Sequence, residues 1–121
     1  MILLGPRDNL QDVIPGFDVA TLSSVGEGFS SVLGESMACG VPCVATQVGD
    51  IPHLLGPAGL AVPARDPSAL AGAWGALLDL SLEERRNRGL AGRDRIEKHF
   101  GLREIVARYR ALYDEVLSVP R

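Results

Sequence analysis

The sequence has few of the residues that build metal sites and disulfide frameworks. Only two cysteines and two histidines occur among 121 residues, and aromatic residues make up 5%. The histidines, His53 and His99, have no ligand-like spacing to each other or to the cysteines, so a metal site is not predicted. We interpret the cysteines, Cys39 and Cys43, as small, reduced core residues.

Long apolar runs and several common site motifs are also missing. No run reaches the roughly 20 apolar residues that a membrane-spanning helix needs. The N-terminus lacks a basic segment followed by a long apolar one, so we expect a cytoplasmic protein. The motifs G-x-x-x-x-G-K-[ST], G-x-G-x-x-G and G-x-S-x-G do not occur. A hydrolase triad is therefore disfavoured, and a nucleotide site would need another arrangement.

Positive charge is scarce in the first part of the chain. Residues 1–80 carry two basic and eight acidic side chains, whereas residues 81–121 carry ten basic and seven acidic ones. The basic residues of the second part alternate with acids along predicted helices, which is typical of a solvated face. We expect no nucleic-acid partner.

Apolar strand patterns alternate with helical patterns up to residue 62. Strands are predicted at 2–4, 18–22, 41–46 and 59–62, and the second of them is expected to be covered on both faces. Strands that alternate with helices predict a parallel sheet with right-handed crossovers. The expected fold class is α/β, a Rossmann-like parallel sheet with flanking helices.

The rest of the chain is predicted to be helical. Asp66 and Pro67 begin one helix, and Ser81 with Glu84 forms the capping box of a second helix that reaches about His99. A last helix over 102–117 carries an apolar stripe: Ile105, Val106, Tyr109, Leu112, Tyr113 and Val116. We predict a single domain, 1–121, with an α/β core in 1–80 and helices in 81–121.

The most informative stretch is the loop and helix start that follow the second predicted strand. In open parallel sheets ligands bind at the carboxyl ends of the strands. Gly28 leaves room for a ligand near the backbone. The next four residues offer backbone N–H groups at a helix start with partial positive charge: Phe29, Ser30, Ser31 and Val32. This arrangement favours a phosphate; alternatively, the glycine only makes the turn and the serines only cap the helix.

Two carboxylates bracket this helix start. Glu27 lies in the loop, and Glu35 lies one to two turns into the predicted helix. Either a ligand contact or an ordinary half-exposed helix glutamate fits Glu35 by itself. Arg7 and Arg65 are the only cations of the first eighty residues, so backbone dipoles must supply most of the charge that a diphosphate requires. Arg7 is included among the predicted substrate-binding residues.

Taken together, these motifs resemble the donor-binding core of retaining glycosyltransferases of the large group-1 (GT4) family. The pattern Ser24-x-x-Glu27-Gly28-Phe29 is followed by Glu35-Ser-Met-Ala-Cys-Gly-Val-Pro-Cys-Val-Ala-Thr and Val-Gly. The E-x7-E pair of that family matches Glu27 and Glu35. The resemblance implies a GT-B architecture with two Rossmann-like domains, of which this sequence resembles the later part of the C-terminal, nucleotide-sugar-binding domain.

The resemblance also implies a role for each matching residue. Glu27 would be the catalytic residue near the donor sugar, and the amides of Gly28 and Phe29 would hold sugar hydroxyls. The helix start from Ser30 to Val32 would meet the diphosphate, and Glu35 would bind the ribose hydroxyls. The donor would be a nucleotide-diphosphate sugar, with no metal or other cofactor.

The sequence also departs from the family pattern. His53 stands where the family often has Glu, and Asp50 where it often has a second Gly; the basic pair and the acceptor domain that lie upstream in the family are absent. We therefore expect a domain fragment that does not transfer sugar alone. It would self-associate or pair with the missing N-terminal half, and any peripheral membrane contact would come only through missing parts. The competing hypothesis is a non-catalytic nucleotide-binding, phosphate-binding or protein-interaction module.

Overall fold

The computed structural model describes residues 2–3 and 5–118. Three parallel strands form one sheet in the order β1 (Ala20–Leu22), β2 (Cys43–Thr46) and β3 (Leu60–Val62). Helices flank the sheet and continue after it: α1 (Leu10–Val13), α2 (Ser31–Ala38), α3 (Ile51–Leu55), α4 (Pro67–Leu78), α5 (Leu82–His99) and α6 (Leu102–Ser118). The predicted fold class, a parallel α/β sheet with flanking helices, is confirmed.

The core lies on both faces of β2, whose residues are all buried. Because side chains alternate along a strand, Cys43 and Ala45 face one side and Val44 the other. The larger cluster, on the α2 and α3 side, includes Ile14, Leu33, Met37, Ile51, Leu54 and Leu55. On the opposite side Val44 packs with Val62 and with Leu77 of α4. A sheet of short strands is thereby enclosed by helices on two faces.

β1 differs from the strand predicted at 18–22. It has three residues, of which Ala20 is buried, Thr21 exposed and Leu22 partly buried. The expectation of cover on both faces was wrong, because the face that carries Thr21 is exposed. In the described part of the chain β1 pairs only with β2 and forms an edge of the sheet. The strand predicted at 2–4 is also absent where it is described: Ile2 and Leu3 are outside any strand and more than four-fifths exposed. Leu4 lies outside the described residues.

The predicted helix starts are confirmed by their caps. Ser30 caps α2 by accepting from the Leu33 N–H at 3.4 Å, and Asp66 caps α4 by accepting from the Ala69 N–H at 2.9 Å. At the start of α5 the capping box is complete, since the Ser81 hydroxyl and the Glu84 carboxylate each bond the other residue's backbone N–H. These local interactions fix where each helix begins.

Glycines let α5 lie directly against the end of α2. A Cβ on Gly89 would overlap the carbonyl oxygen of Gly40, and Gly92 faces the side chain of Met37. These two glycines are the buried residues of α5, whereas no described residue of α6 is buried. No helix among residues 2–3 and 5–118 is long and apolar enough to cross a membrane.

Candidate functional site

The carboxyl ends of the three strands bring three loops to one edge of the sheet. The loops begin at Ser23 after β1, at Gln47 after β2 and at Pro63 after β3. A cavity of about 170 Å³ lies at this edge and is lined by residues from the loops after β1 and β3, by Thr46 at the end of β2 and by the start of α4. Ligands bind at this edge in open parallel sheets, so the fold places the residues of 23–32 where a ligand site is expected.

The first two loops are fixed to each other. The Thr46 hydroxyl, at the end of β2, donates a hydrogen bond of 2.6 Å to the carbonyl of Ser24. Gly49 has a φ of +49°, and a Cβ there would overlap the carbonyl oxygen of Glu27. Glycine is therefore required at 49 on two counts, a positive φ and a close backbone contact. These contacts hold the backbone of Glu27 and Gly28 in place.

The start of α2 presents unpaired amides beside this loop. The Ser30 side chain occupies the Leu33 N–H, and the Gly34 N–H bonds the Ser30 carbonyl. The N–H groups of Ser31 and Val32 have no acceptor among the described residues, and both residues are exposed. Unsatisfied amides at a helix start carry partial positive charge and attract anions.

The two predicted carboxylates occupy different environments. Glu27 is partly buried in the loop, and Glu35 is exposed on α2. Neither carboxylate makes an ion pair, and neither accepts a hydrogen bond, in the part of the chain that the structure describes. Their oxygens are therefore free to accept hydrogen bonds from hydroxyl groups of a ligand.

The two cations of residues 1–80 are Arg7 and Arg65, and neither belongs to the loop after β1 or to the start of α2. Arg7 lies in the segment before α1 and is exposed. Among the described contacts, no ion pair or side-chain hydrogen bond involves it, and none brings it to α2. Arg65 has a φ of +61° and, like Thr46, lines the cavity at the carboxyl edge of the sheet. The role of Arg7 stays a prediction.

An aromatic cluster behind the loop was not predicted. The ring of Phe29 lies 5.6 Å from that of Phe100, which also stands edge-on to His53 at 5.7 Å. Arg95 of α5 stacks over Phe100 and donates to the carbonyl of Leu54 at 2.9 Å, and its guanidinium also bonds the His53 carbonyl. The arginine-rich pattern of α5 indicated only a solvated face. Phe29 therefore packs against Phe100, the residue that directly follows α5, although the two residues lie far apart in the sequence.

One sequence signal points to this cluster. A Cβ on Gly56, at the end of α3, would overlap the guanidinium of Arg95. Gly56 also has a positive φ, +52°. The backbone conformation of the turn is therefore a second reason for a glycine at this position. The sequence alone does not separate these two reasons.

The cysteines lie away from the loop and are free, as predicted. Cys43 is buried in β2, and burial raises the pKa of its thiol to about 12. Its Sγ–H donates to the carbonyl of Val41 at 3.2 Å. A neutral, hydrogen-bonded thiol of this kind acts as a small core residue.

Comparisons with known proteins show what the chain is similar to. The family described as "Glycosyl transferases group 1" matches residues 1–80. N-acetyl-alpha-D-glucosaminyl L-malate synthase of Bacillus anthracis is 35% identical over 119 residues, which are 97% of this chain and 31% of that protein. The MMP alpha-(1->4)-mannosyltransferase of Mycolicibacterium hassiacum is 35% identical over 92% of this chain and 28% of its own length.

A solved structure shows the same fold. Sucrose-phosphate synthase from Thermosynechococcus elongatus superposes with a TM-score of 0.74 and 33% sequence identity, over 84% of this chain and 26% of that one. The 121 residues thus span about a quarter to a third of the proteins to which they are similar.

Proposed function

The chain belongs to the group 1 glycosyltransferases and has the fold of part of a GT-B Rossmann-like domain, and we propose that it is the donor-binding part of such an enzyme. In this proposal it binds a nucleotide-diphosphate sugar for retaining glycosyl transfer. The observation that carries the proposal is the succession, from the carboxyl end of β1 into α2, of a fixed loop with the free carboxylate of Glu27, two free amides at the start of α2 and the free carboxylate of Glu35.

Each group suits one part of a nucleotide-diphosphate sugar. The amides of Ser31 and Val32 at the positive end of α2 suit the diphosphate. The exposed carboxylate of Glu35, one turn further along α2, suits a pair of vicinal ribose hydroxyls, because an ionised carboxylate accepts strong hydrogen bonds. Glu27 suits the sugar, next to the backbone of Gly28 and Phe29.

The fold supports this loop from β2 and from the residues after it. A donor site works through groups that are held in position before the ligand arrives. The bond from Thr46 to the Ser24 carbonyl and the contact of Gly49 with the Glu27 carbonyl provide that support from β2.

We propose that the 121 residues bind donor without transferring the sugar. The chain corresponds to 31% of the Bacillus anthracis relative and 28% of the Mycolicibacterium hassiacum relative, so most of each relative has no counterpart here. The groups that bind the acceptor substrate would lie in the parts of the enzyme that have no counterpart here. The cytoplasm remains the proposed compartment, because both cysteines are free thiols.

Calorimetric titration tests the proposal. The chain is titrated with UDP, GDP and ADP, and then with UDP-glucose, GDP-mannose and ADP-glucose. We expect one base to bind and Glu35→Gln to weaken its binding by about tenfold or more, since a hydrogen bond to a charged group contributes about 1.5–3 kcal/mol. Glu115→Gln, the same change on exposed α6, should leave binding unchanged.

Two results would contradict the proposal. If none of these nucleotides or nucleotide sugars binds, the chain is better described as a protein-interaction module. If Glu35→Gln and Glu115→Gln bind equally well, the site lies elsewhere. Acceptor-dependent release of labelled sugar by the chain alone would contradict only the absence of transfer.

A further inference from the structure

Phe29 is a residue of the candidate site whose backbone is not held by hydrogen bonds. Upstream of it, contacts from Thr46 and Gly49 hold the loop as far as Gly28. Downstream of it, the Ser30 side chain caps α2. Among the residues that the structure describes, neither the N–H nor the C=O of Phe29 has a hydrogen-bond partner. Its position therefore depends on contacts of its side chain.

The side chain of Phe29 packs on Phe100. The two ring centroids are 5.6 Å apart and the rings are tilted by 49°, an arrangement in the favourable range for aromatic pairs. The Phe29 ring also lies next to Gly34 of α2, where an added Cβ would be 3.9 Å from it. Because Gly34 has no side chain, it cannot hold the ring as Phe100 does. The aromatic contact is therefore the main side-chain support of Phe29.

Phe100 is itself held by other residues. Its N–H donates to the carbonyl of Ile96 at 2.9 Å, at the end of α5. The guanidinium of Arg95 lies 5.8 Å from its ring centroid and also bonds two carbonyls of α3. The ring of His53 stands edge-on to it at 5.7 Å, and Phe100 packs against the larger core cluster. Phe100 therefore connects Phe29 to the core.

We propose that Phe100 is a positioning residue for the sugar end of the donor site, and that it acts through Phe29 without touching the ligand. This inference rests on the proposed function, in which the backbone of Gly28 and Phe29 lies next to the donor sugar. An N–H group binds a hydroxyl well only when it points in the right direction. By holding the Phe29 ring, Phe100 sets the direction of the free Phe29 N–H.

The nucleotide end of the site has a different support. The amides of Ser31 and Val32 and the carboxylate of Glu35 belong to α2. This helix is held by Leu33 and Met37, whose side chains are buried in the core. Loss of the Phe100 ring should therefore loosen Phe29 and leave α2 in place. Binding of the sugar and binding of the nucleotide are expected to respond differently to a change at position 100.

Nitrogen-15 relaxation of the full chain without ligand tests the support of Phe29. In the unchanged chain we expect the Phe29 amide to have an order parameter of about 0.85, that of a rigid backbone. Phe100→Leu removes the ring, and the value at Phe29 should fall below about 0.6. The amide of Leu33, which Ser30 caps, should keep its value. Phe100→Met repeats the test, and circular dichroism confirms that each variant is folded.

Calorimetric titration tests the effect on the donor. The ligand pairs are UDP with UDP-glucose, GDP with GDP-mannose, and ADP with ADP-glucose. For the pair that binds, Phe100→Leu should weaken the nucleotide sugar about fivefold or more and the nucleoside diphosphate less than about twofold. Phe100→Tyr keeps the ring and should bind both as the unchanged chain does, as should Phe17→Leu, the same change at an exposed phenylalanine before β1. A general loss of stability would weaken both ligands together.

Three results would overturn the proposal. One is an order parameter at Phe29 that stays the same in Phe100→Leu. Another is a Phe100→Leu variant that binds both members of a ligand pair as before or weakens both equally. These two results leave the proposed donor site standing, because the unchanged chain still binds nucleotide. The third is an unchanged chain that binds none of the six ligands, which would contradict the proposed function as well.

Discussion

Gly49 shows how a residue with no predicted ligand contact of its own can support a site. Its positive φ and its contact with the Glu27 carbonyl leave no room for a Cβ. The role of Glu27 that the sequence predicts therefore depends on a glycine 22 positions later in the chain. Thr46 acts in the same way on Ser24, through one hydrogen bond. These two pairs of residues join the end of β2 and the loop after it to the loop after β1.

The thiols provide a prediction at the residue scale. Burial raises the pKa of Cys43 to about 12, so at pH 8 this group stays protonated and does not react with thiol reagents. Cys39 is partly buried at the end of α2 and is expected to react first. With a thiol-specific reagent we expect Cys39→Ser to leave a folded protein with almost no reactive thiol.

In denaturant the same variant should react fully, because the unfolded thiol returns to an ordinary pKa. Cys43→Ser is the matched control and should keep the reactive thiol. Rapid labelling of folded Cys39→Ser at pH 8 would contradict the burial of Cys43.

At the scale of the elements, α5 joins two parts of the core that the sequence separates. Its glycines lie against the end of α2, and Arg95 reaches the last carbonyls of α3. Phe100, directly after α5, packs on Phe29 beside the candidate site. Contacts from α5 and from Phe100 therefore reach both ends of α2, although most of the surface of α5 is exposed.

The hydrogen bonds and the stacking contact of Arg95 provide a prediction at the element scale. Arg95→Lys keeps the charge but loses the planar fork that bonds two carbonyls and stacks on Phe100. We expect the free energy of unfolding to fall by about 1–3 kcal/mol, measured by urea denaturation. Arg86→Lys, on an exposed part of α5, should change it by less than about 0.5 kcal/mol. Equal stability of the two variants would show that the Arg95 contacts contribute little.

At the scale of the whole molecule, α6 is the least supported part of the chain. Its apolar stripe remains exposed, with Tyr109, Leu112, Tyr113 and Val116 each more than half accessible. The residues at 102, 105, 109, 112 and 116 follow the 3–4 spacing of a helix-pairing seam. We propose that this stripe mediates self-association when no other domain covers it.

Sedimentation velocity over a range of concentrations tests this prediction. We expect the sedimentation coefficient to rise with concentration, and Leu112→Glu to abolish the rise by placing a charge in the seam. Ala107→Glu adds the same charge about 200° around the helix from Tyr109 and should not. A monomer at all concentrations would contradict the proposal. Loss of association in Phe17→Arg instead would place the contact beside β1.

The sequence by itself determined the order of the elements from residue 18 onwards, the helix caps and the place of the Gly28 loop between a strand and a helix. These features depend on local chemistry: Ser30, Asp66 and Ser81 cap helices through bonds to residues three positions away. The loop at Gly28 could be placed for the same reason, since it follows a strand and begins a helix. The match of Glu27 and Glu35 to a family motif is likewise a matter of order and spacing.

Only the tertiary structure decided what supports the site and what the sheet leaves open. The contacts of Thr46 with Ser24, Gly49 with Glu27 and Arg95 with Leu54 join residues 22 to 41 positions apart, and no local pattern encodes such pairs. The apolar run at 18–22 predicted a strand but not its neighbours. Whether β1 is central or at an edge depends on which strand pairs on each side, and hydrogen bonds between strands form only once the chain has folded.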